Sequence, residues 1–192
     1  LRADFPGGTA AWLAVFHSIS AFCNAGFSLF RTSLMDYQGD AAVNLTVMLL
    51  VVSGGLGFIV LFDLFRACRA RIRGTTVKMS YHTRIVLLTS GWLIAGGAAA
   101  LLCCEWCNTL HACGWTTRVL APLFQSVSAR TCGFNTIPIG SLTEASLVVL
   151  ATLMFIGASP ASTGGGIKTS TAAILLAMIM ARFGNREDIN LL

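Results

Sequence analysis

The sequence predicts an all-α polytopic membrane protein in which helices alternate with re-entrant loops, and three observations predict it. Hydrophobic residues make up 55% of the 192 residues and charged residues only 11%, and the mean hydropathy is +0.75, a balance that cannot supply the charged surface of a soluble domain. Residues 16–28, FHSISAFCNAGFS, return at 124–136 as FQSVSARTCGFNT. Phe16 aligns with Phe124 and the next positions follow, Ser20 on Ser128 and Ala21 on Ala129; one extra residue then restores Gly26 on Gly133 and Phe27 on Phe134. Finally, the apolar run 143–182 is interrupted at 158–171 by ASPASTGGGIKTST.

In chain order, 9–22 is apolar but too short to span: fourteen residues reach about 21 Å as a helix against a hydrocarbon core of about 30 Å. It is expected to enter and turn back, and the CNAGFS that follows is irregular backbone of the kind tolerated at membrane depth only under protein or beside a water-filled cavity. Residues 41–65 read as the first full span, with Gly54, Gly55 and Gly57 allowing helix contact or a bend, and Asp63 near its cytoplasmic end. The glycosylation sequon at Asn44 falls at the start of that span and is read as accidental. A basic loop, 66–84, follows, with Gly74-Thr75-Thr76 as its turn. Residues 85–102 return the chain to the outside. There Cys103, Cys104, Cys107, His111 and Cys113 are too irregular for a zinc site, leaving small hydrophobes or, next, an extracellular disulfide.

The second short helix is expected at 116–129, well formed only from Pro122, because proline suits a first helical turn. Forty residues of straight helix from 143 would reach about 60 Å. A break resolves the excess, with apolar segments at 145–157 and 172–180 flanking an unwound middle at membrane depth. Arg182 and Arg186 then mark a cytoplasmic end.

The formal charge of +5 could suggest nucleic acid, but Arg66, Arg69, Arg71, Arg73, Lys78 and Arg84 crowd into one inter-span loop, the positive-inside signature. No basic stripe interleaved with aromatics exists elsewhere, so no nucleic-acid partner is expected. The chain opens at Leu1 with neither signal-peptide features nor Met, and its first long span begins only near Ala41; the expectation is a piece of a longer protein.

A cation crossing a bilayer must exchange its water for other oxygens, and backbone carbonyls supply them without a full charge that would trap it. Glycine suits such a loop because positive φ costs it nothing, and helices aiming their C-termini at one place add negative potential. Asn24, Ala25, Gly26 and Phe27, and Thr131, Cys132, Gly133 and Phe134, each follow a short helix and read as strands of a cation filter, with potassium held at the carbonyls of Asn24, Ala25, Gly26, Thr131, Cys132 and Gly133. Gly54, Gly55 and Gly97 read as helix-packing contacts. Arg130 is expected to face away from the ion path and pair with an acid, Glu144. His17 reads as a packing histidine. Lys168 either tethers the unwound segment or tunes the field there, or else snorkels to the interface.

SAFCNAGFS, SARTCGFNT and FIGASPASTGGGIKT resemble the second pore loop, third pore loop and interrupted helix of the Trk/Ktr/HKT superfamily of potassium transporters, in particular its TrkH- and KtrB-like membrane subunits; the last stretch is the most specific. The resemblance covers nearly the whole chain. It implies a potassium-channel-like, pseudo-fourfold pore of helix, pore loop, helix repeats, each giving one filter strand. It also implies an intramembrane gate, which carries over to Ala158, Ser159, Pro160, Ala161, Ser162, Thr163, Gly164, Gly165, Gly166 and Lys168. On this reading 1–67 holds the second repeat's pore helix, filter loop and inner helix, 68–84 the cytoplasmic basic loop, 85–182 the third repeat, and 183–192 the start of a truncated fourth. Cys23, Cys132 and Pro122 depart from the family pattern. The implied setting is the plasma membrane, the bacterial inner membrane. The implied partners are the missing repeats of the same polypeptide, a second copy in a homodimer, a cytosolic nucleotide-binding regulatory subunit of the TrkA/KtrA kind, and membrane lipid. Potassium is the transported substrate, no organic cofactor or enzyme activity is expected, and channel-like flow against symport stays open.

Three other classes fit less well. GGGIKTS fails as a phosphate loop because Ile167 separates glycine from lysine. A secondary transporter with a broken-helix substrate site would explain 158–171 but leaves the duplicated loops without purpose. A thiol or zinc enzyme lacks a paired acid and base.

Overall fold

The computed structural model describes residues 5–75, 77–111 and 113–183. Thr76, Arg186 and the stretch 184–192 lie outside the described residues. Among the described residues seven α-helices follow one another: α1 Gly7–Phe22, α2 Ala41–Leu56, α3 Phe58–Ile72, α4 Tyr81–Glu105, α5 Trp115–Ala129, α6 Glu144–Phe155 and α7 Thr169–Phe183. An isolated parallel bridge joins Ile156 to Ile167.

Of the two roles read for the glycines of 41–65, Gly57 takes the bend, and the bend is sharp enough to divide the expected full span into two helices. Asp40 caps α2, its carboxylate accepting from the amides of Ala42 at 2.9 Å and Val43 at 3.1 Å, and the helix stops at Leu56. Gly57, at φ +82°, turns the chain by 108° into α3. A Cβ there would lie 2.6 Å from the Pro160 carbonyl and 2.8 Å from that of Ala161, so the bend also makes room for the segment between α6 and α7.

The basic stretch is corrected. Arg66, Arg69 and Arg71 lie in α3, which runs to Ile72; arginine is a good helix former, and Arg69 and Arg71 suit the negative C-terminal end. Asp63 ties α3 to the start of α4 by accepting from the hydroxyls of Ser80 at 2.6 Å and Thr83 at 2.7 Å.

Among the described residues α4 alone is a single helix long and apolar enough to cross a membrane. Gly97 lets it meet α5 and α6: a Cβ would sit 2.5 Å from Ser126 Oγ and 2.7 Å from Leu153 Cδ1, which bears out the packing role read for it. Helix α5 runs unbroken through Pro122, against the expected start there. Arg118 anchors its first turns, its Nε donating to the carbonyls of Leu110 at 3.0 Å and Cys113 at 3.1 Å while its guanidinium lies over the Trp106 ring. The cost of one lost helix bond at proline is offset by these contacts and by burial of Ala121, Pro122 and Phe124. The seven cysteines are free thiols, and no cluster suited to a metal ion occurs among the described residues.

At the end of α4 sits a buried carboxylate. One oxygen of Glu105 accepts from the Thr143 amide at 2.8 Å and hydroxyl at 2.9 Å and from the Ser146 hydroxyl at 2.6 Å. The other accepts from Asn108 Nδ2 at 2.8 Å and from the Thr109 hydroxyl at 2.9 Å. These bonds join α4 to the start of α6. Glu105→Gln turns an acceptor into a donor facing donors, and is expected to lower stability by about 2 kcal/mol, read as a lower Tm of the detergent-solubilised full-length protein. An unchanged Tm would show that the charge is dispensable.

The largest cluster of buried side chains lies between the two duplicated units and includes Ala21, Val47, Val51, Phe124, Val127, Cys132 and Phe134. The outer faces remain apolar, with Trp12, Ile19, Phe62, Trp92 and Leu176 exposed, as suits a surface meeting lipid or further helices.

Candidate functional site

The duplicated loops leave α1 and α5 in the same way. Past α1, the Asn24 amide donates to the Ala21 carbonyl at 3.1 Å and that of Ala25 to Ser20 at 2.9 Å; past α5, the amides of Cys132 and Gly133 both donate to Ser128 at 3.0 Å. Positive φ then falls on every second residue, at Asn24 (52°) and Gly26 (69°) and at Thr131 (86°) and Gly133 (96°). That alternation sets both loops apart from a β-strand, whose residues all hold negative φ.

Each loop is held by the same brace, which sequence reading aligned but did not interpret. Ser20 donates its hydroxyl to the Phe27 carbonyl at 2.9 Å, and Ser128 donates to that of Phe134. The two loops touch, since a Cβ on Gly26 would lie 2.0 Å from the Cys132 carbonyl oxygen. The Cys132 side chain is buried in the cluster behind, as is Phe134, whereas Phe27 is 71% exposed. His17 packs behind the first loop, as read from sequence. It stacks on Phe30 at 4.6 Å, its Nδ1 bonds the Leu13 carbonyl at 2.7 Å, and its Nε2 pairs with the Ser28 hydroxyl at 3.1 Å.

The interruption after α6 is a compact turn. The amide of Gly157 donates to Ile167 at 3.0 Å and that of Ala158 to Gly165 at 3.1 Å. Gly157 is required by this closeness, a Cβ falling 2.0 Å from the Gly165 carbonyl oxygen. Lys168 donates its ammonium to the Gly164 carbonyl at 2.8 Å, the geometry of a tether. Ser159 and Thr169 join hydroxyls at 3.1 Å.

This segment, 156–168, docks on the α2–α3 hinge and beneath both loops. The amides of Ser159 and Thr163 donate to the carbonyls of Gly55 at 3.0 Å and Gly54 at 3.3 Å, and the Phe58 amide donates to Ala161 at 3.2 Å. Gly54 also packs as expected, here against the end of α1, with a Cβ only 1.8 Å from the Phe22 carbonyl oxygen. Gly164 nestles against the loop after α5, a Cβ meeting Thr131 Oγ1 at 2.4 Å.

The expected pairing of Arg130 with Glu144 is corrected. Its Nη2 donates to the Ser90 hydroxyl at 3.2 Å and the Gly157 carbonyl at 3.4 Å. Gly157 follows the far end of α6, about 18 Å along the helix from Glu144, which lies exposed at its first turn.

The family model described as TrkH, cation transport protein, matches residues 6–192. The chain belongs to the TrkH family. Among its relatives, the Ktr system potassium uptake protein B of Bacillus subtilis is 38% identical over 177 residues, covering 91% of this chain and 38% of that protein. Its counterpart from Vibrio alginolyticus is 41% identical over 168 residues, covering 86% and 36%, and the potassium/sodium uptake protein NtpJ of Enterococcus hirae is 35% identical over 181 residues, covering 94% and 39%. The chain therefore spans under two-fifths of the length of these relatives. The crystal structure of the potassium transporter TrkH from Vibrio parahaemolyticus superimposes with a TM-score of 0.70 at 24% identity over 90% of this chain and 35% of that one, so the TrkH fold carries over to this portion. The all-helical membrane architecture and the family read from three motifs are both upheld.

Proposed function

We propose that this chain is the portion of a monovalent-cation transporter running from the second pore loop through the third repeat, and that potassium is the ion it helps to take up across the plasma membrane. The observation that carries this is the matched pair of loops: positive φ on alternate residues, closed by a serine hydroxyl on a phenylalanine carbonyl, at Asn24–Phe27 and again at Thr131–Phe134. In this reading the carbonyls of Asn24, Ala25, Gly26, Thr131, Cys132 and Gly133 replace an ion's water, while α1 and α5 present the negative ends of their dipoles. The relatives' names supply the ion: two are potassium uptake proteins and a third a potassium/sodium uptake protein.

The segment from Ala158 through Lys168 is the gate in this proposal, held shut by the hinge at Gly57 and by the Lys168 tether. The divisions at 67, 84 and 182 belong to the same reading, as do the missing repeats of the polypeptide, a homodimeric assembly, a nucleotide-binding regulatory subunit in the cytosol, and anionic lipid against the arginines of α3. A secondary transporter with a substrate at the broken helix is disfavoured, because the first amide of α7, Thr169, is already bonded to Ala158 at 3.2 Å and so is not free for an anionic solute. Rubidium uptake by liposomes holding the full-length parent, with sodium and potassium as competitors, tests the reading: potassium should suppress uptake more than sodium does, and absent uptake would refute it.

A further inference from the structure

The segment between α6 and α7 reaches the loop after α1 through one side chain. Thr163 donates its hydroxyl to the Phe22 carbonyl at 3.1 Å and accepts from Asn24 Nδ2 at 3.0 Å; the same amide also reaches the Val51 carbonyl of α2 at 3.4 Å. Phe22 is the last residue of α1 and Asn24 the first positive-φ residue beyond it. The position demands a group that donates and accepts at once, since the carbonyl offers only lone pairs and the amide nitrogen only hydrogens. On the other side, against Thr131, the contact with Gly164 is one of shape alone.

We infer that Thr163 is the latch that seats the gating segment, and that the second-repeat filter loop is its catch. This rests on the gating reading above and assigns the hold to one hydroxyl. Because both partners of that hydroxyl belong to the α1 end and its loop, leaving the seat and changing the loop are linked. Release of Thr163 uncovers the Phe22 carbonyl at the negative end of α1, where a cation entering or leaving the loop would meet it, and frees the Asn24 amide.

The test uses the full-length parent in lipid nanodiscs and liposomes. Thr163→Val keeps the shape and removes the hydroxyl; with two hydrogen bonds lost, it is expected to speed amide exchange across 158–168 by about tenfold and to raise rubidium uptake, while Thr163→Ser stays within about twofold of wild type. Unchanged exchange in Thr163→Val, or equal acceleration in Thr163→Ser, overturns the latch whatever the uptake does. Accelerated exchange in Thr163→Val alone, in a parent that takes up no rubidium, upholds the latch and refutes the transport reading instead.

Discussion

Gly133→Asp is expected to reduce rubidium uptake by the full-length parent to background while leaving the protein in the membrane at its usual level. Two effects act together. Gly133 holds φ +96°, a conformation that costs a residue with a Cβ about 1–2 kcal/mol, and the carboxylate would place a full charge where neutral carbonyls are proposed to hand an ion on. The position is a cleaner probe than Gly26. A Cβ on Gly133 meets nothing within 4 Å, whereas one on Gly26 would strike the Cys132 backbone, so a folding defect is a far smaller concern at Gly133. Gly133→Ala, which brings strain without charge, should lose only part of the uptake. Wild-type uptake in a well-inserted Gly133→Asp protein would remove the loop from the ion path.

Deleting residues 163–166 is expected to raise uptake by about tenfold or more. The deletion removes both side-chain hydrogen bonds of Thr163 and the Gly164 carbonyl that holds Lys168, together with the Gly165 carbonyl that accepts from Ala158. With the Thr163 amide's bond to the Gly54 carbonyl these are five bonds, and at about 1 kcal/mol each they exceed what that increase requires, which leaves room for the strain of closing the shortened turn. A deletion protein that inserts normally yet transports no faster would contradict the gate.

Much of this was legible before any coordinates, for reasons that can be stated residue by residue. The pair of loops was visible because its chemistry is local: a glycine that must take positive φ and a serine one turn back on the helix leave the same letters wherever the device recurs. The break after α6 was equally plain, since Pro160 and three successive glycines cannot continue a helix, and the expected flanks at 145–157 and 172–180 fall within three residues of α6 and α7. The glycines of 41–65 marked a possible bend, but neither which glycine turns nor how sharply could be read there, because what fixes the turn at Gly57 is the approach of Pro160 and Ala161, a hundred residues away in sequence. Pro122 misled because local propensity argues for a helix start, and Arg118 and the surrounding core overrode it. The acid expected for Arg130, Glu144, stands at the start of α6, while the fold brings Arg130 to the opposite end of that helix. Thr163 carried no signal as a latch, because its partners, Phe22 and Asn24, meet it only through the tertiary fold.

The central claim is that the two loops are filter strands. The most direct measurement is the position of rubidium by anomalous diffraction in crystals of the full-length parent. The account predicts ion density within coordination distance of carbonyls from both Asn24–Gly26 and Thr131–Gly133; rubidium bound elsewhere, with both loops bare, would contradict it.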